Sequence, residues 1–354
     1  MIKKVAKFIK LDDYKQYKIM RTALVLFVAF FFSIYGSAQS LYKFKKGSKE
    51  GFINGTGNVV VSPIYDDVDD FSENFAKVKI GSKYGYINSK GEEVITIKYL
   101  RGTAFKEGLA AVKDESGWHY IDKKGEVKYD EKCNYAYAFN EGLARLQVGV
   151  KFGYINKEGQ MVISPKFDKA YDFNEGLARV EIAGKWGFIN KKGDFEIDPK
   201  FDWVFDFSEG MADFRKGTEK EGKYGFIDKS GNVVIPANYD RVFAFHEGRA
   251  LFRKGSFRGG KYGYLDSKGN VVVEPVFDGA MNYCEGRANV SKGIAKEAKW
   301  GYIDYDGNQV IPLKYSRPSE FNNNLALVRI GDFRTGTEGY INKQGKFIWK
   351  SSNK

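Results

Sequence analysis

The chain has 354 residues, a formal charge of +12, 29% charged and 16% aromatic residues, and 40 glycines. That balance excludes a disordered polymer, because there is enough aromatic and aliphatic side chain to bury a core, and the glycines call for many turns.

Residues 1–40 differ in character from the rest of the chain. Seven basic and two acidic residues precede an apolar run from Ala23 to Ile34, and Gly36 and Ala38 then supply small residues just before Gln39. Basic region, short apolar core and small residues predict a secretion signal over 1–38, cleaved before Gln39, with an uncleaved anchor as the alternative. The apolar run is shorter than the roughly 20 residues a spanning helix needs. No Cys stands directly after the cleavage point, which argues against a lipid anchor.

From Leu41 to about Lys350 one unit is written nine times. A glycine after an aromatic or equivalent residue recurs at Gly51, Gly85, Gly153, Gly187, Gly225, Gly263, Gly301 and Gly339, with His119 in the remaining slot. The spacing is 34 residues through Gly187 and 38 residues thereafter, so the period lengthens at about residue 220. Fixed-period self-similarity predicts a repeat architecture. In the unit around Trp186, Leu177–Ile182 alternates apolar and polar, Trp186–Asn190 forms a second strand after a turn, and Phe195–Asp202 forms a third containing Pro199. Period two means half-buried strands, and the proline suits an edge. The glycines, the proline and the lack of an i, i+3, i+4, i+7 run exclude a helical repeat.

Each unit therefore reads as a three-stranded antiparallel meander, and a single meander buries its apolar face only by stacking on its neighbours. A large residue recurs at Phe71, Phe105, Phe139, Phe173, Phe207, Phe245, Tyr283 and Phe321, and a small one at Ala76, Ala110, Ala144, Ala178, Ala212, Ala250, Ala288 and Ala326. Large against small predicts an interlocking core column, and the glycine after the aromatic predicts close approach of a neighbouring unit's backbone. The units are short for propeller blades, and the first and last meanders are each complete. The expected fold is all-β, nine meanders stacked as an open twisted solenoid, with a propeller-like closed ring as the alternative.

The strings KWGFIN, KYGYIN, KYGFID and KWGYID carry a resemblance to the bacterial WG-repeat family over residues 41–350. The repeat motif falls on Trp118, Gly153, Trp186, Gly187, Gly225, Gly263, Trp300 and Gly301. Local departures are His119, Ile97 and Leu100 in the second copy, and Asn323-Asn324 in place of Glu-Gly. The resemblance implies tandem β repeats in exported bacterial proteins, and implies no catalytic activity, cofactor or ligand.

A motif copied in every unit is poor material for catalysis, which needs one special environment. The glutamates Glu107, Glu141, Glu175, Glu209, Glu247 and Glu285 and the aspartates Asp168, Asp202, Asp240 and Asp278 are therefore read as turn and capping residues. Asp304–Asn308 resembles the start of a calcium loop but lacks its closing acid and occupies an ordinary turn slot. His119 and His246 fall in unrelated slots, so no metal, cofactor or nucleophile–His pair is expected. Cys133 and Cys284 lie more than four repeats apart and are read as half-buried free thiols.

Binding is the better prospect. Taking the Ala-x-Val strand to face outward at alternate positions, one slot reads Lys79, Lys113, Arg215, Arg253 and Arg329, interrupted by Gln147, Glu181 and Ser291, and the adjacent slot contains Arg145 and Arg179. Stacked repeats would line these into a basic strip. Beside it the hairpins of the last four joints are four residues longer, adding Lys220, Arg258, Lys296 and Arg334 at their tips, diluted by Glu219, Glu221, Glu297 and Asp332. The expected function is a non-enzymatic exported binding or scaffold protein, in the periplasm, on the outer surface or outside the cell. Its expected partner is a protein or an acidic polysaccharide of the envelope, rather than nucleic acid, with membrane contact only through an uncleaved leader. The alternative is a carbohydrate-binding β repeat that stacks sugars on Trp118, Trp186, Trp300, Tyr224 and Tyr262.

Overall fold

The computed structural model describes residues 40–294, 297–332 and 335–351. The expected secretion segment 1–38, Lys296 and Arg334 lie outside the described residues. Among those residues there is no α-helix, and the strands form nine small antiparallel sheets, each running in chain order. We number the sheets as blades 1 to 9: residues 41–65, 67–99, 101–131, 135–167, 169–201, 203–239, 241–277, 279–315 and 317–350.

The strands fall where period two places them, but half-burial holds only for the third strand of the unit; most of the first two is covered on both faces. Around Trp186 the strands run Ala178–Ile182, Lys185–Ile189 and Phe195–Phe201. The turn between the last two is an Asx turn: Asn190 Oδ1 accepts the N–H groups of Lys192 and Asp194 at 3.0 and 3.2 Å. Pro199 lies on the strand at the sheet edge, where a missing N–H costs nothing. The three-stranded meander is corrected by a fourth strand. Trp203–Val204 pairs with Met211–Lys216 and opens the next sheet, so among the described residues blades 2 to 9 are four-stranded and the first has three strands. Five of these opening strands are two residues long, too short to show alternation; a further set, Tyr135–Asn140, Arg241–His246 and Gly279–Cys284, reaches six.

The expected open solenoid is overturned: the array closes into a nine-bladed ring. Tyr86, Tyr120, Tyr154, Tyr264 and Tyr302 each donate their hydroxyl to a backbone carbonyl of the next blade, 17 residues on, at 2.7–2.8 Å. Tyr340 of blade 9 makes the same bond to the carbonyl of Lys43 in blade 1, at 2.8 Å. Tyr42 packs at a tilt against Tyr340 with ring centres 5.1 Å apart and donates to the Asn323 carbonyl, while Phe44, Ile53 and Trp349 complete a core shared by the two chain ends. Complete first and last meanders speak against a ring only if closure needs a shared strand. Here closure uses side chains across a seam, so no strand needs to be shared.

Ring closure puts a neighbour on both faces of every blade. The large residues of the column, Phe105 to Phe321, are at most 3% exposed, and the alanines from Ala76 to Ala326 are fully buried. Each large residue packs on the aromatic after the repeat glycine in the preceding blade, as Phe207 does on Phe188 at 4.7 Å. The Glu-Gly pairs form a second ladder. Glu73 accepts from the N–H groups of Glu107 and Gly108 at 2.6 and 2.9 Å and pairs with Lys123, and all three partners lie in blade 3. Glu107, Glu141, Glu175, Glu209, Glu247 and Glu285 bond forward in the same way, the last to Asn324, so the Asn-Asn departure still receives the latch. Burial raises the Glu73 carboxyl, but Lys123 and the two N–H donors outweigh it and hold it below its ordinary value. Glu73→Ala would leave two donors between blades 2 and 3 without their acceptor. The expected loss is about 2 kcal/mol in urea unfolding, with Glu73→Gln intermediate.

Candidate functional site

The Phe-Asp aspartates fix the outer hairpins. Asp202 accepts from Lys185 and from the N–H of Gly217 at 2.6 and 2.7 Å. Asp240 does the same for Lys223 and for the N–H of Gly255, the latter at 2.6 Å. Each aspartate thus pins the start of a long hairpin, and two such hairpins have matching strings, Arg215-Lys216-Gly217 to Gly222-Lys223 and Arg253-Lys254-Gly255 to Gly260-Lys261. In both, the second glycine leaves room for the arginine stem: a Cβ on Gly222 or Gly260 would stand 2.7 or 2.9 Å from it.

Between these hairpins, at the junction of blades 6 and 7, lies a cleft of about 910 Å³. Three arginines converge on it. Arg241 stands directly opposite Arg253 in the strand pair of blade 7, and Arg215 enters from blade 6. The Arg241 guanidinium lies among the rings of Phe205, Tyr224 and Phe243, at 4.5, 4.6 and 5.0 Å from their centres. Arg215 Nε donates to the Gly217 carbonyl at 3.1 Å, and Arg253 Nε to that of Gly255 at 3.3 Å. None of the three forms an ion pair among the described residues, whereas Lys223 beside them pairs with Asp240. Phe257, at the tip of the second hairpin, is 83% exposed and lies 5.5 Å from the Arg253 guanidinium.

Asp213 on blade 6 is 2% exposed, and its Oδ2 has no hydrogen-bond partner. In blades 4 and 5 the same slot holds Arg145 and Arg179, which reach forward to Asp172 and Asp206 in the next blade. At the third junction the pair is lost: the slot carries Asp213 in place of arginine, and the connector position carries the neutral Ala244. Burial pushes the Asp213 carboxyl up to about 7, against the opposing pull of Arg241.

Two members of the expected basic strip are turned into the ring and the others are mostly half-buried. Arg179 is 7% exposed and donates to the Val204 carbonyl, and Arg145 stacks on Tyr137 at 3.8 Å and bonds the Ala170 carbonyl. They are inter-blade struts, because in a closed ring the face opposite the alanines is covered by the next blade. Arg329 pairs with Glu338, Lys79 lies over Tyr84, and Lys113 stands opposite Arg101 within blade 3. Arg215 and Arg253 share the cleft, and Arg258 is exposed on its hairpin. Sequence reasoning missed Arg241, Phe205 and Phe243, all on the unrecognised opening strands and connectors. The sugar-stacking aromatics are mostly core: Trp118, Trp186 and Tyr224 are 5%, 1% and 8% exposed, and Trp300 and Tyr262 are half-buried.

Other polar groups have local duties. Ser116, His119 and Asp130 have hydrolase-like spacing, at 3.1 Å and 2.7 Å. Yet Ser116 donates its hydroxyl to Asp114, and Asp114 also lies 2.9 Å from His119 Nε2. Burial opposes the charge on His119, but the two carboxylates outweigh it and raise its pKa, which favours its cation. Asp304 Oδ1 accepts from the N–H groups of Asp306 and Asn308, which is the ordinary turn of every blade. Cys133 and Cys284 are free, half-buried thiols, each pushed up to about 12 by burial.

Against known families, the chain matches the one described as WG containing repeat in eight segments: 51–84, 84–118, 120–151, 152–186, 186–220, 224–256, 262–293 and 300–332. No curated protein matches. Among solved structures it is similar to a eukaryotic initiation factor, with 10% identity, a TM-score of 0.62, and coverage of 88% of this chain and 96% of that one. At that identity the likeness concerns fold alone. Porphyromonas gingivalis dipeptidyl peptidase 4 matches at 8% identity with a TM-score of 0.47, covering 89% of this chain and 58% of that one. Kluyvelomyces marxianus Hsv2 matches at 8% identity and a TM-score of 0.41, covering 66% and 89%.

Proposed function

The chain belongs to the WG-repeat family, and from that premise we propose that it is a non-enzymatic binding scaffold, exported from the cell, whose contact site is the arginine cleft between blades 6 and 7. The single observation that carries this reading is the convergence of Arg215, Arg241 and Arg253 on one cleft, none of them in an ion pair among the described residues. Cations held in fixed positions and left unpaired recognise an anionic surface and steer its approach. The rival reading, sugar stacking on the repeat aromatics, is opposed by their burial in the ring. Repetition supports the scaffold role: the acidic residues of each unit are committed to latches and hairpins, which leaves the departures from the repeat to confer specificity.

The partner is a protein or an acidic envelope polymer. The test is crosslinking capture from a cell-envelope extract with the purified protein and its Arg215→Ser/Arg241→Ser/Arg253→Ser variant. The expected result is a partner retained by the natural protein and lost from the variant, with retention falling as salt rises through roughly 0.1–0.5 M. An identical set of partners for both proteins would remove the cleft from the function.

A further inference from the structure

We infer that the cleft between blades 6 and 7 is a recognition site for a peptide segment of a partner protein that carries a carboxylate next to an apolar or aromatic side chain. The inference rests on the binding reading above and narrows it to one ligand chemistry.

Charge comes first. Like charges placed directly opposite on paired strands are destabilising, and Arg241 and Arg253 are such a pair. In blade 9 the corresponding pair is Arg317 and Arg329, and there Arg329 is neutralised by Glu338 from the adjacent strand. In blade 7 the residue corresponding to Glu338 is Tyr262, paired with Arg253, so the internal carboxylate is replaced by a phenol. The neighbouring aspartates offset it only in part. Asp240 is engaged by Lys223 and the Gly255 N–H and acts on Arg253 without an ion pair, and the buried Asp213 acts likewise on Arg241. A ligand carboxylate would relieve the rest. Arg215 and Arg253 each use Nε on their own hairpin, and neither has an Nη partner among the described residues. Free Nη groups on a fixed guanidinium are the geometry that receives a carboxylate.

Shape and polarity then separate a peptide from other anions. Glu219 and Glu221 stand on the cleft wall, and they would repel a dense polyanion while leaving room for isolated carboxylates. The ring faces of Phe205, Tyr224 and Phe243 are occupied by Arg241, so they do not offer a sugar a bare platform. Phe257 does offer an exposed apolar surface beside Arg253, and an aromatic next to arginine is the composition of a protein-binding hot spot. A volume of about 910 Å³ is enough for a few residues of extended chain.

The test uses isothermal titration of the whole protein with four probes: a random copolymer of glutamate and tyrosine, polyglutamate, polygalacturonate and polyphosphate. The copolymer is expected to bind more tightly than each of the other three by roughly tenfold. Arg241→Ser/Arg253→Ser should weaken it by at least about tenfold. Phe257→Ser, at an exposed tip where folding is not at stake, should weaken it about fivefold and leave polyglutamate unchanged. No copolymer binding, binding that neither variant weakens, or polygalacturonate or polyphosphate bound as tightly as the copolymer would each overturn the inference. If capture from the extract still depended on the three arginines while the copolymer failed, the peptide assignment would fall and the binding reading would stand.

Discussion

Replacing Gly187 by alanine is expected to lower the unfolding free energy of the ring by about 3 kcal/mol or more. A Cβ at Gly187 would lie 2.4 Å from the carbonyl oxygen of Ile197, 2.7 Å from Pro199 N and 2.8 Å from the Asp198 carbonyl carbon. These are backbone atoms, so no side chain can rotate aside. The cause is a bulge. Trp186 pairs with Phe201 and Phe188 with Ile197, so two steps on one strand face four on the other, and the surplus residues fold over the glycine. The close backbone approach expected from the sequence is present, but the approaching chain is not a neighbouring unit. It is the edge strand of the same blade.

Blade 3 is the natural control. There Trp118, His119 and Tyr120 pair in unbroken register with Glu131, Asp130 and Tyr129. With no bulge above it, the slot accepts a histidine. A second control is Gly176, which has a φ of +87° and open space around its Cβ position. Gly176→Ala should cost only about 1 kcal/mol, from backbone strain alone. Urea unfolding of both variants, compared at matched slopes, separates the two effects. Equal losses would mean that the bulge relaxes and that the contact is not a constraint.

Asp213→Asn is expected to stabilise the protein at pH 8 and to do little at pH 4. The folded-state carboxyl titrates at about 7, against an ordinary value near 3.9 in the unfolded chain. Between those values the folded state holds a proton that the unfolded state has released. Stability from this group is therefore full below about pH 4 and declines as pH rises toward 7. Above 7 the buried carboxylate carries its whole penalty, on the order of 4 kcal/mol for a displacement of this size. Asparagine has nearly the same shape and no charge, so it removes the decline. Thermal or urea unfolding from pH 4 to 8, run on both proteins, reads the difference directly. Parallel curves would show that Asp213 is ionised at little cost and that Arg241 compensates it fully.

Much of the fold was legible in the chain, and the reason is local. Period-two alternation in Leu177–Ile182, the turns between strands and the proline on the last strand are decided within one unit. The Phe and Ala columns were legible as well, since large and small residues recur at fixed spacing and all but the first Phe of the column proved buried. The longer hairpins could be counted, and two of them wall the cleft.

What the sequence alone determined, then, was the repeat unit: nine meanders, their core columns, their glycine slot and their family. Tertiary structure decided whatever depends on the rotation from one unit to the next. That rotation brings Tyr340 to the Lys43 carbonyl and closes the ring. Closure covers the second face of each blade, which turns Arg145 and Arg179 from supposed surface cations into struts and buries Asp213. It also recruits opening strands such as Trp203–Val204, which pair only because the blade is already there. The cleft belongs to the same class. Arg215 is 26 residues from Arg241 and 38 from Arg253 in the chain, and only the angle between blades 6 and 7 makes them one site.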